Sequence, residues 1–415
     1  MDLEFHYYIN YIIALKAGIL PEIAHKIAYS AQYIDDNTEI FTILEKETFK
    51  QYNNIITQSL DLTLNFKESL SIFPIFHFIP GDDILRSSDL RRDGECRYMS
   101  TTPNSKVAQN CLKAALKSKD PYWIGIASHA YADTWAHQNF TGMKDTYNCV
   151  DKQKHNKNTF FGLTDYIGHL NVLTLPDNPS YIWYDYRLKD MKIHNGERFL
   201  DAAKWLFKMY LKYADSTIII AKPKKPEAIW DELSTTLNAI FNNDFVTLEK
   251  IFGTNCGISS NSKLLMMKIL GMNRNNRIEM YQKLAKRSEA ELSIAQTYNP
   301  QYDKQQWMNN AIYDACSIIH NTSLITANDN EQNNQVYGDV LCDSGQASYG
   351  IAFGDIFKNK ITSMLKIYKK LHMWHTNYKS TDWYKFQEGA KKHHDYLIDK
   401  VIRIMRKDMK LIRTN

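Results

Sequence analysis

His129, Asp133 and His137 recur at i, i+4 and i+8 in the string Gly125-Ile-Ala-Ser-His129-Ala-Tyr-Ala-Asp133-Thr-Trp-Ala-His137-Gln138. At about 100° per residue, the three side chains fall within roughly 80° of one another on a helix. The residues between them are small or apolar (Ile126, Ala127, Ala130, Ala132, Trp135 and Ala136), so the spacing predicts an apolar helix with one polar stripe. A buried carboxylate flanked by two imidazoles is costly unless all three are satisfied. A divalent cation does that, because neutral imidazole and carboxylate are ordinary zinc ligands. The competing reading is a hydrogen-bonded His-Asp-His triad inside a helical core.

Other residues extend the pattern. His6 lies among Phe5, Tyr7 and Tyr8, His77 between Phe76 and Phe78, and His169 after Ile167-Gly168. One histidine in an apolar string is more often a satisfied core residue. Five of them, with Asp35, Asp36 and Asp133, point to metal. Asp35 and Asp36 end a helical pattern, where the macrodipole disfavours negative charge and a cation would compensate. His25 and His155 read as surface positions, and His194 stays open.

The elements that must position these residues are helical. Apolar residues recur at helical spacing from Phe5 to Ala17, stopping at Gly18, and Pro21 opens a second helix. A helix is expected from Ser105 to about Lys119, followed by the His129 helix and a short helical stretch from Gly162 to Val172. That stretch ends in the turn Leu175-Pro-Asp177-Asn-Pro179. Further helices are expected over 197–213, 226–241, 262–270, 277–295, 305–320, 353–378 and 383–410, with a polar loop over 321–345. Period-2 alternation is almost absent, so the class is all-α. A metal-binding helical domain over 1–215 and a helical C-terminal region over 216–415 are expected.

Composition narrows the partners. Of 415 residues, 44% are hydrophobic and 23% charged, enough for a buried core. No apolar run is long enough to span a membrane, and no Sec signal is visible. The expectation is a cytoplasmic protein or one exported by a signal-independent route, such as an effector injected into a host cell. The six cysteines are scattered without a CxxC pair and read as free thiols. Residues 358–415 hold 15 Lys+Arg against 5 Asp+Glu, a balance of +10, which leaves −5 for the rest of a chain of net charge +5. This basic tail suits peripheral contact with an anionic membrane surface.

The order His6, Asp35/Asp36, His77, His129-x₃-Asp133, His137, His169 resembles the ligand order of the zinc-dependent phospholipase C and P1-nuclease superfamily. The strings Phe5-His-Tyr-Tyr8, Tyr29-Ser-Ala-Gln-Tyr-Ile-Asp-Asp36, Phe76-His-Phe-Ile-Pro-Gly81, His129 to Phe140 and Gly168-His169 with Pro176-Asp177 resemble more closely the bacterial metallophospholipases C of Pseudomonas and Legionella. The resemblance covers about residues 1–185. It implies an all-α fold, two or three zinc ions, an N-terminal group among the ligands, and a secreted or injected protein. The family's closing His-x₃-Glu pair is not matched, since Leu173 stands four residues after His169. Asp177 or Asp165 must substitute, and the resemblance favours Asp177.

Clustered metals lower the pKa of a bound water, clamp phosphoryl oxygens and stabilise a leaving alkoxide. On this reading Asp133 bridges ions, Asp35 or Asp36 accepts the water's proton, and phospholipid is cleaved on the glycerol side of its phosphate. The chain has no G-x-S-x-G string, and no serine or cysteine nucleophile is assigned. A nuclease or phosphomonoesterase of the same superfamily is the alternative. The aromatic residues are too dispersed to tell whether they form a base-stacking groove, and the basic tail suits nucleic acid and anionic lipid alike. Only the closer family resemblance favours lipid, and on it nucleic acid is not expected as a partner. A helical binding protein with a structural metal is a third reading, but one closed four-coordinate site would leave ligands over.

Overall fold

In a computed structural model, which describes residues 1–45, 48, 50–59, 64–81, 90–150, 166–253, 272–292, 301–314 and 370–414, the run containing His129 and Asp133 forms the helix Pro121–Ala136. Asp120 caps it by accepting from the N–H groups of Tyr122 and Trp123, and Pro121 takes the first helical position, where no N–H is needed. The helix is buried nearly all round, as its even apolar composition requires. Its nearest neighbour is the helix Pro21–Asp36. A Cβ on Gly125 would lie 2.2 Å from the Ile27 carbonyl, so glycine is what lets the two backbones approach.

The N-terminal helical pattern divides into a π-helical turn, Glu4–Ile9, and the α-helix Asn10–Lys16. Helix Phe66–Phe76 contains Pro74, which removes one backbone donor. It ends where the N–H groups of both His77 and Phe78 turn onto the Phe73 carbonyl. Helices Lys106–Ser118, Asn195–Tyr213, Pro226–Phe241 and Arg274–Glu291 follow the expected periodicity closely.

The described residues are mainly helical with a small mixed sheet, which corrects the expected all-α class. The sheet has the order Gln51–Asn53, Phe41–Leu44, Lys370–Trp374, Ile312–Asp314. Phe41–Leu44 pairs antiparallel with Gln51–Asn53 and parallel with Lys370–Trp374, with Phe41 opposite Lys370. A separate hairpin pairs Ile182–Tyr184 with Lys192–His194. Residues 370–374 fall in a stretch expected to be helical, and 312–314 follow a helix that stops at Ala311. The helix expected through Val172 is also corrected. From Tyr166 to Asp177 the helical turns are short 3₁₀ ones, Leu170–Val172 and Leu175–Asp177, because Gly168 sits at φ +54°, outside the helical region.

Two compact units result. The first comprises residues 1–36, 57–302 and 389–415, the second 37–56 and 303–388. The division expected at residue 215 therefore falls inside the first unit. The second unit packs Phe41, Trp307, Trp374, Trp383 and Phe386 into its core. Cys96, Cys111 and Cys149 are free thiols. His155, Asp165, the helix over 262–270, the loop over 321–345, and Cys256, Cys316 and Cys342 lie outside the described residues. Among the described residues no helix is long and apolar enough to cross a membrane.

Candidate metal centre

Four imidazoles are each tethered through one nitrogen to a main-chain carbonyl. His129 Nδ1 donates to Ala31 O at 2.7 Å and His77 Nε2 to Thr57 O at 2.9 Å. His137 Nδ1 donates to His77 O and His169 Nδ1 to Leu173 O, each at 2.8 Å. A carbonyl only accepts, so each tethered nitrogen carries the proton. The second nitrogen of each neutral ring then presents a lone pair. Such tethers fix the orientation and tautomer of metal-binding histidines.

The free nitrogens converge. His77 Nδ1 and His129 Nε2 stand 3.1 Å apart, and Asp35 Oδ1 lies 3.8 Å from each. Asp133 Oδ2 is 3.1 Å from His129 Nε2, and Asp133 Oδ1 is 3.1 Å from His6 Nε2. Asp177 Oδ1 is 3.0 Å from His137 Nε2, and its Oδ2 is 3.4 Å from His169 Nε2. At His77, His129, His137 and His169, acceptor thus faces acceptor. His6 Nε2 and Asp133 Oδ2 are buried and make no hydrogen bond. Lone pairs held this close are repulsive unless a cation lies among them. Zinc bonds of about 2.0–2.1 Å place tetrahedral ligand atoms roughly 3.3–3.4 Å apart, the scale observed here. Three groups could each hold an ion: His6, His129 and Asp133; Asp35, His77 and His129; and His137, His169 and Asp177.

One cation of the chain itself enters the cluster. The Met1 ammonium is 2.5 Å from Asp133 Oδ1 and 3.1 Å from Asp177 Oδ1. Burial opposes its charge, but Asp133, Asp177 and Asp35 outweigh that and raise it to about 11. Burial and the same ammonium lower His6 to about 4. Burial, then His6, holds His129 well below the usual imidazole range. Burial lowers His169 to about 4 although Asp177 acts the other way. Burial raises Asp35 well above the carboxylate range, and Asp133 reinforces it. For Asp133 burial is opposed and outweighed by His137, the Met1 ammonium, His129 and His6, so it stays ionised.

Of the residues singled out by sequence, His6, Asp35, His77, His129, Asp133, His137, His169 and Asp177 come together. Asp36 does not, and its expected place in the cluster is corrected. Adjacent helical residues point about 100° apart. With Asp35 turned inward, Asp36 accepts instead from Tyr302 Oη at 2.8 Å and Gln32 Nε2 at 3.1 Å. Phe78 packs against two of the imidazoles, stacking on His137 at 4.5 Å and tilting against His169 at 5.8 Å, while those two rings also meet each other at 4.6 Å. A Cβ on Gly168 would lie 2.4 Å from Phe78 Cζ, so the Gly-His string brings His169 against that ring. The fixing carbonyls carry no side-chain signature, and the sequence pattern passes over them.

The cluster opens on a cavity of about 270 Å³. Met1, Asp35, His77, His137, His169 and Asp177 are among the residues that line it, as are the apolar Phe73, Phe78, Ile167 and Leu170. Comparison with curated proteins and with solved structures finds no match. The model of one family does match, over residues 1–401, and the chain therefore belongs to that family, DUF6765, described as a family of unknown function.

Proposed function

We propose that the chain is a metal-dependent phosphoric ester hydrolase of the phospholipase C type, using two or three zinc-class ions to cleave phospholipid on the glycerol side of its phosphate. The observation that supports this reading is the set of eight His and Asp residues converging with unpaired acceptors around Asp133. One closed structural zinc needs only four ligands. The groups His6/His129/Asp133, Asp35/His77/His129 and His137/His169/Asp177 would hold the ions. When bound, they would supply an activated water and charge stabilisation at the phosphoryl group.

The chain's own residues do the rest. Asp133 directs one oxygen toward His6 Nε2 and the other toward His77 Nδ1 and His129 Nε2, so it is placed to serve two ions. Asp35 borders the cavity, and Asp36 is occupied by Tyr302. Of these two carboxylates, Asp35 would accept the proton, on the oxygen not used to hold an ion. Phe73, Phe78, Ile167 and Leu170 shed water from the cavity and suit the glyceride portion of a lipid better than a base or sugar. The basic C-terminal helix, with Lys391, Arg403, Arg406 and Lys407 exposed, would give peripheral attraction to anionic headgroups that fades with salt.

The test is an assay of metal-loaded protein on phosphatidylcholine, phosphatidylglycerol, single-stranded DNA and a simple phosphomonoester. Release of diacylglycerol is expected. Turnover of DNA or of the monoester alone would move the chain to the nuclease or phosphomonoesterase reading. Bound metal with no turnover would leave a structural metal.

A further inference from the structure

Leu173 holds φ +51° and ψ −127°, a backbone conformation normally left to glycine. The main chain there is fixed by its carbonyl, which accepts from His169. The side chain gains nothing from the strain, for it is 69% exposed. It is not alone. Leu175, Tyr181, Ile182 and Tyr184 follow in the same stretch, the last two 54% and 52% exposed.

These residues are held on a rigid frame. The buried Asn195 donates from Nδ2 to the carbonyls of Leu175 and Asn178 at 2.6 and 2.7 Å. Its Oδ1 accepts from Trp183 Nε1 at 3.0 Å, and its N–H bonds Tyr181 O at 3.1 Å. One side chain therefore ties the turn that carries Asp177 to the hairpin that carries Ile182 and Tyr184. The rim adjoins the cavity through Leu170, which lines it. Cations accompany the apolar tips. Exposed Lys192 lies across the hairpin from Tyr184, and exposed Lys144 bridges to Ile167, another lining residue.

We infer that this rim docks on an anionic phospholipid bilayer and presents the cavity to it. Apolar tips, tyrosines and lysines in close company match the acyl boundary, the headgroup level and the phosphates of a membrane interface. The role in presenting substrate rests on the phospholipase reading above, whereas binding itself is measured apart from it.

The experiment uses the full chain and vesicles of phosphatidylcholine and phosphatidylglycerol in equal parts. At about 1 M salt the screening length is about 3 Å, so charge contributions from the basic tail are suppressed and apolar docking remains. Ile182→Ser with Tyr184→Ser should lower partitioning there about tenfold or more, as expected for removing buried apolar surface. The same variant should turn over a short-chain phospholipid below its micellar concentration at the parent rate. Leu173→Gly should raise the melting temperature while weakening partitioning, a combination that a purely structural leucine would not give. Parent-level partitioning by both variants, or no partitioning by the parent, would overturn the inference. So would self-association of the parent that these variants abolish, since the rim would then be a protein–protein face. Partitioning that depends on these residues without any phospholipid turnover would remove the phospholipase reading and leave the docking surface standing.

Discussion

Arg277 grips Glu4 through two parallel bonds, Nε to Oε2 at 2.8 Å and Nη2 to Oε1 at 2.7 Å, with both side chains almost wholly buried. Glu4 opens the π-helical turn that carries His6, so the pair anchors the N-terminal segment to helix Arg274–Glu291. Removing one partner strands a buried charge. Arg277→Met should cost about 3–5 kcal/mol of stability, while Glu4→Gln added to it should recover much of the loss. Urea denaturation of the metal-free proteins checks this. A double variant no more stable than the single one would show that the effect is not the orphaned carboxylate.

Metal content is the second prediction. Protein purified without added metal should carry two or three zinc-class ions, because facing acceptors need a cation. Elemental analysis finding fewer than one ion per chain would rule this out.

Asp133→Asn keeps the shape of the side chain and removes its charge. Loss of an outer partner of a metal ligand costs roughly 10–100-fold, so on the proposed hydrolase reading loss of Asp133 as a shared ligand should exceed about 100-fold in activity. Circular dichroism should stay unchanged. Near-parent turnover would make the His129–Asp133–His137 stripe structural.

Asp177→Asn should release one ion and leave the others, since His137 and His169 would lose their common carboxylate. Asp165→Asn, made alongside, should release none. Metal stoichiometry reversed between the two variants would transfer the role to Asp165.

His393 supplies a pH prediction away from the metal ligands. Its Nε2 donates to Ile75 O at 3.1 Å, its Nδ1 faces Cys111 Sγ at 3.6 Å, and burial lowers it to about 4. The unfolded chain binds this proton near pH 6.5, the folded chain only near 4. Stability is therefore full above about pH 6.5 and falls as the pH drops toward 4, by up to roughly 3 kcal/mol. In metal-free protein, His393→Gln should flatten that part of the stability–pH curve. Parallel curves for parent and variant would refute it.

The ligand stripe was readable because helical period fixes direction: His129, Asp133 and His137 had to share a face. Asp36 stays outside the cluster for the same reason, since two neighbours on a helix cannot both turn inward. The sheet left no trace in the pattern. Its strands are three to five residues long, too short to show alternation, and Phe41–Leu44 finds its parallel partner at Lys370–Trp374, far along the chain. Asp177 was visible through its proline-framed turn, but the hand that turns each imidazole is a backbone carbonyl, at Ala31, Thr57, His77 and Leu173, and carbonyls are common to every residue.

The bond from His393 to the Ile75 carbonyl also sets an order in time. His393 stacks on Phe76, the residue before His77, and Asp408 accepts from the N–H groups of Tyr98 and Met99. A ribosome that has made the first 380 residues has already delivered every His and Asp of the three ligand groups, yet the turn bearing His77 still lacks its backing. The bond and the ring stack that back that turn can form only once the segment from Gly389 onward has emerged. A nascent chain therefore carries these His and Asp residues before all the contacts behind them can form.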